Sequence, residues 1–109
     1  MPDRPPPRER ARPDRQVFQA PRFGKSKRRL PDAVQLQVDE EVKKIRENPL
    51  LGEPKVGALK GVRVVKFKAG SQQLLVAYQF DEKRNVIEVL DVGPHENFYR
   101  DLKNYLDSR

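Results

Sequence analysis

The sequence predicts one small α+β domain, and three observations support that prediction. Its 109 residues suffice for one domain with one hydrophobic core. Apolar residues recur at helical spacing around residues 32–47 and 95–106. Between residues 62 and 92, β-branched and aromatic residues form three runs of strand length. We therefore expect an N-terminal strand and two helices, then an antiparallel three-strand meander and a C-terminal helix.

Residues 1–16 are predicted to be a disordered, basic, proline-rich tail, so that the domain spans residues 17–109. The segment holds five prolines and five arginines, and Met1 is its only large apolar residue. Such a segment cannot bury enough apolar surface to offset the entropy of ordering. Its function stays open between an arm that contacts RNA or the ribosome, a solvated extension and a misassigned start codon.

The first elements of the domain are a short strand and two helical segments. The apolar pattern from Val17 to Phe23 is interrupted by Pro21, which suits an edge strand. Residues 24–29 are basic and favour a helical turn. The spacing then predicts a helix from Asp32 to Glu47, because apolar residues recur on one face at Val34, Val38, Val42 and Ile45.

After the loop that begins at Asn48-Pro49, the pattern changes to strands. The runs Val62–Lys68, Leu74–Phe80 and Val86–Val92 are joined by short polar segments, which predicts the antiparallel meander. A last helix follows Gly93-Pro94, with an apolar stripe at Phe98, Leu102, Tyr105 and Leu106. We expect the helices to pack on one face of the sheet and to leave the other face free.

Composition narrows the function. Lys and Arg outnumber Asp and Glu by 23 to 16, and this charge of +7 attracts phosphate polyanions or acidic protein surfaces. The lack of cysteine excludes disulfides, thiolate zinc sites and cysteine nucleophiles. No acidic cluster has the spacing of metal ligands, so we expect neither a metal nor a cofactor.

The sequence contains no apolar run that suits a bilayer or a secretory signal, which predicts a cytoplasmic location and no membrane partner.

Two lysines on the first meander strand are candidates for contacting phosphate. Strand alternation puts Val65 and Phe67 on the buried face and projects Lys66 and Lys68 from the opposite, open face. At about 7 Å between their backbones, the two ammonium groups would grip one phosphate group. Strand lysines also serve as solvated residues that protect a sheet edge, and that alternative remains open.

His95 is the single histidine and follows the last meander strand at a sharp turn. Imidazole titrates near neutrality, so it suits proton donation to an alkoxide that departs during phosphodiester cleavage. Tyr99 lies one helical turn later and off the apolar stripe, which favours exposure and stacking on a base. The basic side chains Arg63, Arg100 and Lys103 are further candidates for contacting RNA.

Four blocks of sequence, in their order and spacing, resemble the RelE/ParE toxin superfamily. They are Asn48–Pro54, Leu59–Gly61, Leu74–Phe80 and Val89–His95. The resemblance covers roughly residues 17–106 and implies the RelE-like fold. It also implies the toxin of a type II toxin-antitoxin system, a metal-independent endoribonuclease that cleaves mRNA on the ribosome by 2′-hydroxyl attack on the adjacent phosphate.

The resemblance also implies site residues and partners. Lys66 and Lys68 match the strand cations that stabilise the phosphate or activate the nucleophile. His95 matches the general acid of YafQ-like members, and Tyr99 matches an aromatic residue that stacks on or orients the substrate. The implied partners are a cognate antitoxin protein, mRNA and the ribosome, with no small-molecule ligand. One departure is the strand Leu74–Tyr78, which lacks the arginine of RelE-like enzymes.

Two alternatives remain from the sequence. A ParE-like protein that poisons DNA gyrase by binding has the same fold and needs no acid or base. A catalytically inactive relative that binds RNA or the ribosome would account for the charge and the missing strand arginine. The ribonuclease predicts cleavage, whereas the inactive relative predicts only salt-sensitive RNA binding.

Overall fold

The computed structural model describes residues 14–109, and the first 13 residues of the predicted tail lie outside the described part. The α+β class and the order of elements agree with the prediction. The elements are β1 (Gln16–Gln19), α1 (Pro21–Arg28), α2 (Asp32–Glu47), β2 (Glu53–Pro54), β3 (Arg63–Ala69), β4 (Gln72–Asp81), β5 (Val86–Pro94) and α3 (Phe98–Asp107), with a short 3₁₀ turn at Gly57–Leu59. Between residues 14 and 109, no helix is long and apolar enough to cross a membrane.

The sheet has five strands in the order β1-β5-β4-β3-β2. Strands β3, β4 and β5 form the predicted antiparallel meander, and β1 pairs in parallel with β5 at one edge. The turn between β3 and β4 is tight, because Ala69 pairs with Gln72 and only two residues intervene. The first of them is Gly70, whose φ of 65° lies in the region that favours glycine.

The N-terminal strand is shorter than the predicted Val17–Phe23. β1 ends at Gln19, and Pro21 begins α1 instead of interrupting a strand. Proline suits the first helical turn because it lacks an amide hydrogen and its φ is already helical. Phe23 is therefore a buried helix residue that packs against the sheet.

The prediction that all helices cover one face of the sheet is wrong. Helices α1 and α2 pack on one face, where Val38 and Ile45 of α2 meet Val76 of β4. Helix α3 packs on the opposite face, through Phe98 and Leu102. We call this second surface the α3 face. The cause lies in β4, where five consecutive apolar residues, Leu74–Tyr78, require cover on both sides.

Helix α3 covers only one end of the α3 face. It packs over Val64, Ala77 and Leu90, all of which are buried. At the other end of β3, Lys66 and Lys68 are exposed. Part of the face that was predicted to be free is therefore open to solvent, and this part carries the two lysines.

Tyr78 fixes the loop that leads from α2 to β2. Its hydroxyl donates a hydrogen bond to the Pro49 carbonyl at 2.7 Å and accepts one from the Gly52 amide at 2.8 Å. A Cβ at residue 52 would lie 2.9 Å from Tyr78 side-chain atoms, so only glycine fits there. This contact explains why the first block of the resemblance contains a glycine, and it sets the start of β2.

The described part of the predicted tail is anchored to the domain. Arg15 is only 3% exposed, and its guanidinium donates to the Asn85 side chain at 2.8 Å and to the Arg46 carbonyl at 2.6 Å. The amide of Gln16 donates to the Asn85 carbonyl. Ordered structure therefore begins before Val17, because a buried arginine ties this segment to the end of α2 and to the hairpin between β4 and β5.

Candidate functional site

The structure places Lys66 and Lys68 on the α3 face, as strand alternation predicts. Their neighbours Val65 and Phe67 contact the core under α1 and α2. Across the sheet, Lys66 lies opposite Leu75, and Leu75 lies opposite Gly93 of β5. With neighbouring strands about 4.8 Å apart, the backbones of Lys66 and Gly93 are about 10 Å apart. A lysine side chain is long and flexible, so the Lys66 ammonium and the side chain of a residue that follows β5 can both reach a group bound between them.

That residue is His95, in the exposed turn that follows β5. Its ring lies 5.5 Å from the Tyr99 ring, at 81° between planes, which is an edge-on contact. Asn97 has a φ of 60° and precedes α3, so the chain turns sharply between the strand and the helix. The turn therefore presents the imidazole at the open end of the α3 face, with one side held by the tyrosine.

Tyr99 is less exposed than the helix pattern predicted. Its ring is half-buried against the core of the α3 face and makes a second edge-on contact with Phe98. Its hydroxyl is buried and makes no hydrogen bond of ordinary geometry among residues 14–109, and its interaction with the Lys55 ammonium helps to raise the pKa of that lysine. The Lys55 ammonium lies over the ring, 4.9 Å from its centre. One face of the ring is thus already occupied, which favours an orienting role over stacking on a base.

Lys55 and Glu53 belong to the site, and the sequence analysis missed them. The Lys55 ammonium donates to the Glu53 carboxylate at 3.1 Å. Glu53 lies opposite Val64 in the register, so its side chain is on the α3 face. The only sequence signal was their position around the end of the Asn48–Pro54 block, because a two-residue strand has no periodicity to detect.

The Glu53 carboxylate interacts electrostatically with both Lys55 and Lys66. The hydrogen bond from Lys55, and then the charges of Lys55 and Lys66, hold the pKa of Glu53 below its ordinary value. The hydrogen bond to Glu53 raises the pKa of Lys55, and nearby Tyr99 adds to this effect against the opposing effect of burial. A continuous line of interactions therefore runs from β3 across β2 to α3.

The three other basic candidates lie in different settings. Arg63 donates to the Gly52 and Leu50 carbonyls, at 2.8 and 3.3 Å, so it supports the loop before β2 and does not join Lys66. Arg100 and Lys103 are exposed on α3, where each pairs with an aspartate of the same helix, Asp101 and Asp107. Exposed pairs of this kind contribute little stability.

The geometry provides cations and one imidazole around an open surface. Such a site can neutralise a phosphate and transfer a proton. Within residues 14–109, no group of three or more His, Asp or Glu side chains is arranged to hold a metal ion.

Comparisons with known proteins agree with this fold. Residues 17–103 match the family described as ParE-like toxin of type II bacterial toxin-antitoxin system. No curated protein sequence gives a significant match. Among solved structures, a free mutant of the Escherichia coli toxin RelE superimposes with a TM-score of 0.68 at 19% identity, over 85% of this chain and 96% of that one.

Two toxin-antitoxin complexes also contain similar chains. The Mycobacterium tuberculosis RelBE2 complex matches with a TM-score of 0.64 at 18% identity, over 74% of this chain and 91% of the other. The intact Escherichia coli RelBE complex matches with 0.61 at 23% identity, over 75% and 98%. At these identities the likeness shows the fold, which is RelE-like.

Proposed function

The chain belongs to the ParE-like toxins of type II bacterial toxin-antitoxin systems, and on that premise we propose that it is a metal-independent endoribonuclease that cleaves mRNA on the ribosome. In this reaction the RNA 2′-hydroxyl gives up its proton to a base, which water can supply, and its oxygen bonds to the adjacent phosphorus. The bond from phosphorus to the 5′-oxygen breaks, and that oxygen leaves with a proton from the protein, so that a 2′,3′-cyclic phosphate remains. The protein then needs to position the RNA, neutralise charge on the phosphate and supply the proton.

One observation carries the proposal. On the open end of the α3 face, interactions link a strand lysine to the imidazole through Glu53, Lys55 and Tyr99. Lys66 and Lys68 are exposed and free to approach a phosphate from the sheet side. His95 is exposed at the adjacent turn, where an imidazole can protonate the leaving oxygen.

Tyr99 has a positioning role in this proposal. It holds the edge of the His95 ring at 5.5 Å, and its own ring is fixed by Phe98 and covered by Lys55. A ring held in this way limits the orientations of the imidazole, which favours a defined direction for proton transfer. Arg100 and Lys103 remain candidates for contacts to more distant phosphates.

The partner that fits the family is an antitoxin protein. The RelBE2 and RelBE structures named above are toxin-antitoxin complexes, which supports a cognate antitoxin for this chain. The exposed lysines and the charge of +7 favour an antitoxin segment with acidic side chains.

The lysine pair supplies the test of this proposal. Lys66→Ala with Lys68→Ala is compared with Lys83→Ala with Arg84→Ala, which removes the same charge from the hairpin at the opposite end of β4. Cleavage and binding of a ribosome-bound mRNA are measured in a buffer whose Mg²⁺ keeps the ribosome assembled. We expect the first pair to reduce both and the second pair to change neither by more than about twofold, since surface charges act weakly at a distance in salt. Equal effects of the two pairs would contradict the site.

A second function is favoured by the family description itself, which names ParE-like toxins. A gyrase-binding toxin would act by binding alone and would not need the imidazole or the strand lysines. After induced expression, mRNA integrity and plasmid supercoiling distinguish the two functions. Cleaved mRNA with unchanged supercoiling supports the ribonuclease, whereas DNA damage with intact mRNA supports the gyrase binder. RNA binding without cleavage would indicate the catalytically inactive relative.

A further inference from the structure

Glu53 occupies an unusual position for an acidic side chain in a basic site. Its carboxylate accepts a hydrogen bond from Lys55 at 3.1 Å and interacts with the charge of Lys66 from the neighbouring strand. The side chain is nevertheless 67% exposed, and within residues 14–109 the interactions described for it are with these two cations. A carboxylate in this setting is easily replaced by another anion.

We propose that Lys55 and Lys66 form a binding site for an RNA backbone phosphate, and that the Glu53 carboxylate occupies this site in the free protein. A phosphodiester carries one negative charge on two oxygens, as a carboxylate does, and it makes the same demand on the two ammonium groups. When RNA binds, Glu53 turns into solvent and the phosphate takes its place. This inference rests on the proposed ribonuclease function, because it names a substrate contact of that site.

Tyr99 keeps Lys55 in place during the exchange. The ammonium lies 4.9 Å from the ring centre, a cation–π distance, and this contact does not depend on Glu53. The His95 ring lies on the same tyrosine at 5.5 Å, so the ammonium and the imidazole are no farther apart than the sum of these two distances. Lys55 and the proposed proton donor therefore contact the same aromatic ring.

A path for the RNA strand leads away from this position. Glu53 and Lys66 border an open groove of about 500 Å³ between α2 and the edge of β3, and Lys44 lies in the same groove. Beyond Val64, β3 is not paired with β2, and Leu51 and Lys66 line the groove at this edge. Lys44 donates to Glu41 at 3.2 Å, and Glu41 also lines this groove, so the Lys44 cation is already paired in the free protein.

The test measures the affinity of the full-length protein for a 2′-O-methyl RNA oligonucleotide, which has no free 2′-hydroxyl and is not cleaved. Glu53→Gln removes the competing charge and keeps the shape of the side chain. We expect it to tighten binding roughly three- to fivefold at low salt, the range of a single exposed ion pair, with a smaller gain at high salt. Lys55→Met should weaken binding and should abolish the gain when it is combined with Glu53→Gln.

Glu40→Gln is the matched control, because Glu40 is also 67% exposed and also faces a lysine, Lys43, but on α2. If Glu53→Gln tightens binding no more than this control, the exchange does not occur and the inference is overturned. If Glu53→Gln weakens binding, Glu53 positions Lys55 instead of competing with RNA, and the inference is also overturned.

Two further arms separate related outcomes. A titration with inorganic phosphate in place of the oligonucleotide shows whether the site takes any phosphate. If inorganic phosphate binds but Glu53→Gln does not raise the affinity for the oligonucleotide, the site is not an RNA site. Cleavage of unmodified RNA by the wild-type protein is scored separately. If the variants bind as expected but the wild-type protein never cleaves RNA, the phosphate site is supported and the proposed ribonuclease function is wrong. If the wild-type protein cleaves RNA but the variants do not change binding as expected, only the phosphate site is wrong.

Discussion

Two tyrosine-to-phenylalanine substitutions are expected to change stability in opposite directions. In the core, the Tyr78 hydroxyl makes two buried hydrogen bonds, to the Pro49 carbonyl at 2.7 Å and from the Gly52 amide at 2.8 Å. On α3, the Tyr99 hydroxyl is also buried but makes no hydrogen bond of ordinary geometry within residues 14–109. The same chemical change therefore removes two bonds in one case and an unsatisfied group in the other.

The magnitude follows from the cost of unsatisfied groups. Tyr78→Phe leaves one donor and one acceptor buried without partners, each at a cost of roughly 1–2 kcal/mol, so we expect the free energy of unfolding to fall by about 2–4 kcal/mol. Tyr99→Phe removes a buried polar atom that makes no hydrogen bond of ordinary geometry within residues 14–109 and interacts weakly with Lys55. We expect the free energy of unfolding to stay unchanged or to rise by up to about 1 kcal/mol.

Urea unfolding measures both values, with circular dichroism as the signal and linear extrapolation to water. The slope of the transition should stay the same for both variants, since neither changes the surface exposed on unfolding. A loss below about 0.5 kcal/mol for Tyr78→Phe would refute the claim that this hydroxyl fixes the loop. A loss above about 1 kcal/mol for Tyr99→Phe would show that its hydroxyl has a partner.

Tyr78 also gives a prediction for the pH dependence of stability. Burial raises the pKa of Tyr78 above its ordinary value of 10.0. The folded protein therefore keeps this proton at pH values where the unfolded chain loses it. Stability from this group is complete below the ordinary pKa and is lost as the pH rises from about 10 through the raised pKa of the folded state. In Tyr78→Phe this part of the alkaline loss disappears, which the difference between the two stability curves from pH 9 to 12 measures.

Three other predictions concern the loop, the N-terminal anchor and the site. Gly52→Ala places a Cβ 2.9 Å from Tyr78 atoms and should cost about 1–3 kcal/mol in urea unfolding; wild-type stability would contradict the close contact. Arg15→Ala leaves the Asn85 side chain and the Arg46 carbonyl without their donor and should cost about 2–3 kcal/mol; a neutral result would mean that the anchor is dispensable. Tyr99→Leu frees both the Lys55 ammonium and the His95 ring, so it should weaken RNA binding and should also lower the single-turnover cleavage rate at saturating protein; an unchanged saturated rate would argue against the positioning of His95.

Local patterns in the sequence were sufficient for most of the elements. The spacing of Val34, Val38, Val42 and Ile45 predicted α2 with its observed ends, because helix periodicity and the Asn48-Pro49 stop are both encoded nearby. The meander was equally predictable from its three runs. Pro21 was misread because proline is compatible with both an edge strand and a first helical turn, and only the pairing of β1 with β5 decides between them.

The placement of α3 and the role of Lys55 depended on tertiary structure. An amphipathic helix must pack on a sheet, but its own sequence does not specify which face. The continuous apolar run Leu74–Tyr78 carried that information, since a strand with one wet face alternates. Lys55 had no comparable signal, because Tyr99, which lies under its ammonium, is 44 positions away in the sequence.

The most direct measurement of the central claim is the single-turnover cleavage rate of ribosome-bound mRNA by the His95→Ala variant with saturating protein, in a buffer whose Mg²⁺ keeps the ribosome assembled. A wild-type protein that works as proposed leaves a 2′,3′-cyclic phosphate on one fragment. Loss of the proton donor should slow this step by about 10²- to 10⁴-fold while leaving stability and RNA affinity close to wild type. A variant that cleaves as fast as the wild-type protein would contradict the assignment of His95 as the general acid.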